Sequence, residues 1–188
     1  MKRLTLCLFF GLSISLSADN WPRFRGHNGA GISNDDIPVN WKPDNFKWKA
    51  PLPGVGHGSP VIWEGRSYLL CANEETGQRI AVGLEAKTGR ILWQRTFQAD
   101  KHKHHKQNSF ASTTPAVDES GVYFSWGTPK ALTLLALNHD GKTKWRANLG
   151  PVKGGHGFGA SPIIHKNLLI LNNDQDGEST LLALDKGT

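Results

Sequence analysis

Three observations in the amino-acid sequence predict an all-β fold of four-stranded blades arranged as a propeller. A unit of about fifty residues recurs nearly three times. Each copy consists of short apolar runs separated by turn residues, and the two longest copies close on a glycine turn followed by a tryptophan strand. Twenty-one glycines and ten prolines among 188 residues provide frequent turns, and no periodic helical stretch follows residue 18.

The unit opens with a hydroxyl residue, a proline and a short apolar strand: Ser59-Pro60-Val61-Ile62, Thr114-Pro115-Ala116-Val117 and Ser161-Pro162-Ile163-Ile164. These openings lie 55 and 47 residues apart. A turn and a second strand follow, over 67–72, 122–126 and 168–171. A third apolar run spans 80–84, 132–137 and 181–184. A polar turn then leads to the tryptophan strand, through Thr88-Gly89 to Trp93 and through Asp140-Gly141 to Trp145. Residues 59–97 and 113–149 are thus read as two blades, and 160–188 as a third without its last strand. The segment 46–52 around Trp48 matches the strands that start at Trp93 and Trp145. It is read as an outer strand given by the N-terminal part to a blade whose other strands lie elsewhere, closing the ring by shared pairing. Four antiparallel strands with a large aromatic on the last fit a blade better than a solenoid coil or a sandwich, because the indole needs a broad apolar surface and the next blade offers one. A ring of seven or eight such blades takes roughly 350 to 400 residues, so about three blades are expected here and the sequence is read as an N-terminal fragment. Expressed alone, it is expected to expose an unpaired blade edge and to self-associate.

The turn and tryptophan segments resemble the tryptophan-docking motif of the pyrroloquinoline quinone (PQQ) type β-propeller repeats, A-x-D-x-x-T-G-x-x-x-W. The copy ending at Trp93 keeps Thr88 and Gly89, with Gly83 for the alanine and Glu85 for the aspartate. The copy ending at Trp145 is one residue shorter, with Ala136, Asn138, Asp140 and Gly141, and the last keeps Ala183, Asp185 and Thr188. The opening Asn20-Trp21-Pro22-Arg23-Phe24-Arg25-Gly26 is similar to the start of secreted PQQ-like propellers of environmental bacteria. The resemblance covers residues 20 to 188 and implies a structural docking role for Trp48, Thr88, Gly89, Trp93, Gly141 and Trp145. It also implies two functional classes. One is a dehydrogenase holding PQQ and calcium in the channel, with an aspartate base and usually an adjacent cysteine pair. The other resembles the propeller subunit that assists assembly of outer-membrane proteins, without cofactor chemistry.

Residues 1–18 read as a cleavable signal peptide: Lys2-Arg3, an apolar run over 4–16, then Ser15, Ser17 and Ala18. The run is short for a membrane span. The expected location is therefore periplasmic or secreted. Cys71 is the one thiol outside this segment, and among strand residues it reads as a buried hydrophobe. Net charge is +6. Without the leader, twenty basic residues face sixteen acidic ones, a mixed charge that does not favour nucleic acid. The lysines of Lys101-His102-Lys103-His104-His105-Lys106 read as a solvated loop, with His102, His104 and His105 as weak metal candidates.

Blade topology puts the loops leading into each innermost strand, and those between second and third strands, on one face around the channel. That face receives His57 and His156, each between glycines that let backbone approach a ligand, together with Asn108, Asn172 and Asp174. These five are the ligand-binding candidates. Their other reading is that glycine and histidine shape crowded turns. Asp174 with Asn172 and Asn173 offers oxygen ligands of the kind calcium prefers, and Glu74 or Glu75 with Asp174 is the one carboxylate pair that sugar hydrolysis could use. No adjacent cysteines occur and no aspartate stands out as a base. The functional expectation is a non-catalytic binding or scaffolding platform with no cofactor, its partner an envelope protein or polymer and its membrane association only through that partner. The alternative is a PQQ- and calcium-dependent dehydrogenase oxidising alcohols or sugars.

Overall fold

The computed structural model describes residues 20–42 and 44–187. The expected signal peptide and Thr188 lie outside the described residues. Among the described residues, apart from a three-residue 3-10 turn at His27–Gly29, every regular element is a strand. The first sheet is β1 (Val61–Trp63), β2 (Arg66–Ala72), β3 (Arg79–Glu85) and β4 (Ile91–Phe97), paired antiparallel in chain order. The second repeats it with β5 (Ala116–Asp118), β6 (Gly121–Gly127), β7 (Leu132–Leu137) and β8 (Thr143–Asn148). The third holds β9 (Ile163–His165), β10 (Leu168–Asn173) and β11 (Thr180–Asp185). The fold is all-β, and its sheets are propeller blades.

Strand periodicity explains how the blades stack. Successive side chains of a strand point to opposite faces, and a middle blade has a neighbour on each face. In β6, Val122, Phe124 and Trp126 join Tyr68 and Leu70 of the first blade in one core, while Tyr123 joins Leu169 and Leu171 of the third in another. A blade covered on both faces reads as a continuous apolar run, and β6 and β7 are buried throughout. The first blade turns Cys71, Ile80, Val82 and Leu84 to a third cluster, with Ala50 against it.

The hydroxyl-proline openings link each blade to the next. The Ser59 N–H donates to Thr114 Oγ1 at 2.9 Å, and the Thr114 N–H to Ser161 Oγ at 2.9 Å. Each hydroxyl thus satisfies a backbone donor of the preceding blade. The N-terminal segment crosses these openings: Trp21 bridges Ile62 of β1, and Pro22 O accepts the Val117 N–H of β5.

Tryptophan docking is more specific than packing on a blade face. In both complete blades the tryptophan lies opposite a small residue of the adjacent strand, Trp93 opposite Gly83 and Trp145 opposite Ala136, and a register shift follows directly. A Cβ on Gly83 would come within 2.4 Å of the Trp93 ring, so the small residue is space for the indole. The indole N–H then reaches the next blade: Trp93 donates to His139 O at 2.9 Å and Trp145 to Lys186 O at 3.0 Å. Trp48 makes the same bond to Ala86 O at 3.1 Å, although residues 46–52 lie in no strand among the described residues. The rings of Trp48 and Trp93 also cover Gly89 and Gly141, at φ 72° and 80°, where a side chain would meet both strain and the indole. These turn residues therefore serve the next tryptophan as well as their own turns. Thr88 bonds the Glu85 carboxylate and accepts the Arg90 N–H within its turn.

Candidate functional site

Antiparallel pairing sends the turns β1–β2 and β3–β4 to one end of each blade. The loops β2–β3 and the connections into the next blade go to the other end. At this second end a cleft of about 420 Å³ opens beside the third blade, lined among others by Lys153, His156, Phe158, Asn172, Asp174 and Asp176. Three of the five candidates, His156, Asn172 and Asp174, thus share one wall. Asn108 borders it: its Nδ2 donates to His156 O at 2.6 Å, and its Oδ1 accepts the Ser109 N–H at 2.8 Å and the Ser112 hydroxyl. The His105 ring lies 5.4 Å from that of His156. Asp174 is exposed and accepts the Ser179 hydroxyl at 2.8 Å.

His57 stands apart from this cleft. Its N–H donates to Ala111 O at 3.0 Å and its side chain is exposed. The flanking Gly56 and Gly58 press against the carbonyls of Ala111 and Thr113, leaving no room for a Cβ. Glu74 is engaged elsewhere as well: one oxygen lies 3.4 Å from His104 Nε2 and the other accepts the Phe110 N–H at 3.5 Å. Glu74 does not line the cleft that holds Asp174, so the carboxylate pair is not brought together there.

The lysine and histidine loop is not simply solvated. His102 and His104 pack their rings on Phe110, at 5.0 and 4.6 Å, while the intervening lysines are exposed. Below Phe110 lies Arg79, wholly buried, with its guanidinium 4.8 Å from the ring centre. Arg79 donates to Gly77 O and, at 3.5 Å, to Gly127 O of the second blade, while its Nε finds no partner. Burial pushes this guanidinium down to about 10, with the Glu74 carboxylate opposing. Burial likewise pushes the His102 imidazole below its usual range, against the raising effect of Asp100 O. Sequence reasoning missed Arg79, which opens an apolar strand as a solvated end residue would.

Calcium requires several oxygen ligands around one point. Among the described residues, no three His, Cys, Asp or Glu side chains gather to hold a metal ion. Asn172 and Asp174 line the cleft, but one Asp174 oxygen already takes the Ser179 hydroxyl. Cys71 is a buried free thiol whose pKa burial raises.

A family model described as outer membrane protein assembly factor BamB matches residues 38–188. No curated protein matches the chain. Among solved structures, a europium-containing methanol dehydrogenase is similar with a TM-score of 0.51 and 14% identity, over 76% of this chain and 28% of that one. BamB from Moraxella catarrhalis is similar with a TM-score of 0.51 and 16% identity, over 74% of this chain and 40% of that one. The chain thus spans well under half the length of either structure, and likeness at these identities shows the fold alone.

Proposed function

We propose that this chain, which belongs to the PQQ-like propeller family described as outer membrane protein assembly factor BamB, is a non-catalytic binding platform of the cell envelope. The observation that carries this reading is how the channel-face polar groups are used. Asn108 holds His156 O, Glu74 holds His104, and Asp174 holds Ser179. Each fixes the shape of a loop, and together they build a broad polar face with a cleft in it rather than a converging set of acid, base and cofactor ligands. Rigid blades that present fixed loops suit recognition of a partner protein or polymer. The sequence-predicted signal peptide supports a periplasmic or secreted location, and no helix of the described residues is long and apolar enough to cross a membrane.

The competing reading is a PQQ-dependent dehydrogenase oxidising alcohols or sugars, supported by the fold shared with a methanol dehydrogenase. Titrating the full-length mature protein with PQQ and calcium, followed by absorbance and calorimetry, separates the two. The platform reading expects no saturable binding and no dye reduction with alcohols or sugars. Saturation near one equivalent with dye reduction would replace it with the enzyme.

A further inference from the structure

The segment 100–106 is built with an ordered alternation. His102 and His104 turn inward onto Phe110, while Lys101, Lys103 and His105 are exposed, and Lys106 follows on the turn that the Asn108 N–H closes on His105 O. Several independent contacts hold the segment in place. His102 Nδ1 bonds Asp100 O at 3.0 Å, Asp100 pairs with Lys130 at 2.8 Å, and His104 meets Glu74. The Lys101 backbone lies where a Cβ on Gly77, at φ 78°, would come within 2.5 Å of its nitrogen. Of the neighbouring carboxylates, Glu74 meets His104 and Asp100 pairs with Lys130, while the exposed Glu75 pairs with none of the lysines. Among the described residues Lys101, Lys103 and Lys106 take part in no ion pair.

We propose that this row of lysines is the docking surface for an extended acidic peptide segment of the partner protein. The inference rests on the platform reading and deepens it by naming the partner's chemistry. Two features select a peptide. The cations are uncompensated, so an anionic chain completes the charge pattern. Lys101 and Lys103, at alternate positions of the segment, stand about 6.6 Å apart, the repeat of alternate side chains in an extended peptide, and Lys106 adds charge from the turn that follows. A partner with glutamates at every second position therefore matches Lys101 and Lys103 side chain for side chain, with Lys106 beside its next acidic residue. The inward histidines keep the lysines outward before binding, which lowers the ordering cost on association.

The test uses the full-length mature protein and a labelled alternating glutamate–threonine peptide, with a peptide of the same composition in two blocks and phosphatidylglycerol vesicles as comparators. The expected result is saturable, salt-sensitive binding that favours the alternating peptide and is about tenfold weaker in K101Q/K103Q/K106Q. These lysines make no ion pairs, so thermal unfolding of that variant should match the wild type. H102A/H104A keeps the lysine charges, frees the loop and should also weaken binding. Wild-type affinity in the lysine variant, no preference for the alternating peptide, or binding to the vesicles alone would overturn the proposal. The PQQ titration judges the platform reading separately, so failure of one is distinguishable from failure of the other.

Discussion

The two ends of the blades differ in which polar residues join one blade to the next and in what they leave exposed. At the end with the β1–β2 and β3–β4 turns, polar groups of one blade are matched to those of the next. Trp93 bonds His139 O, Arg66 pairs with Asp140 at 2.9 Å, and Lys186 pairs with Asp118 at 2.5 Å. At the other end polar groups tie one loop to another, Asn108 to His156 O and Glu74 to His104, and leave lysines and a cleft facing outward. The repeated turn and tryptophan residues serve the first end, while the second end combines the repeated hydroxyl-proline openings with loop residues that differ between units. The difference teaches where to look for function in a repeat fold: the residues that the repeat does not dictate are the ones free to serve a site.

The same contrast exists on a smaller scale between the two blade junctions. Both dock a tryptophan on the carbonyl of the residue that follows the turn's first polar residue, His139 in one and Lys186 in the other. The side chains at these positions differ. His139 bonds the buried Tyr68 hydroxyl at 2.9 Å, beside the exposed Arg66–Asp140 pair. Lys186 instead reaches Asp118 in an ion pair whose side chains are 15% and 11% exposed. The docking geometry is shared and the electrostatics are local, so the junctions should respond differently to charge.

Disrupting the docking end should produce the largest effects. Trp93→Ala removes an indole from the first inter-blade core and should cost about 3 kcal/mol in urea unfolding. Gly141→Val puts a β-branched side chain at a φ of 80° and against the Trp93 ring. It should cost about 2–3 kcal/mol in the same measurement. Lys186→Ala leaves the Asp118 carboxylate without its partner and should cost about 2 kcal/mol. Arg66→Ala, at an exposed pair, should cost less than about 1 kcal/mol. Equal losses at Lys186 and Arg66 would erase the distinction between the junctions.

The junctions also differ in alkali. The hydrogen bond to the Asp118 carboxylate, outweighing burial, holds Lys186 above its ordinary value of 10.5. A raised lysine stabilises fully below its ordinary value and loses that contribution as pH rises through the raised one. Unfolding free energy should therefore fall above pH 10.5, and Lys186→Met should flatten the fall. Tyr68, pushed up to about 12 chiefly by burial, loses stability in an overlapping window from its ordinary value of 10.0. The difference between wild type and Lys186→Met is thus the quantity to read. An unchanged pH profile in that variant would place the alkaline sensitivity elsewhere.

Much of this contrast was legible in the sequence. Apolar runs bounded by Glu64-Gly65, Ser120-Gly121 and Lys166-Asn167 located the second strands, because a strand covered on both faces can carry little else. The motif residues Gly83 and Ala136 were visible, but their purpose was not: only the register places a small residue beneath each indole. Trp48 was matched to Trp93 and Trp145 by pattern, and its bond to Ala86 O follows the same geometry. The channel face was less legible. The sharing of one cleft by His156, Asn172 and Asp174 depends on the fold between residues far apart in sequence. The buried Arg79 depends on a loop that lies over it, and nothing local to Arg79 announces that cover.

One pair of variants tests the division between the two ends most directly. H57A/H156A/D174A removes three exposed channel-face side chains whose only side-chain hydrogen bond described is Asp174 to Ser179, whereas Trp93→Ala removes one docking tryptophan. Urea unfolding of the full-length protein should place the triple variant within about 1 kcal/mol of wild type and Trp93→Ala about 3 kcal/mol below it. A loss in the triple variant as large as that in Trp93→Ala would contradict the account, because the face assigned to recognition would then be holding the blades together.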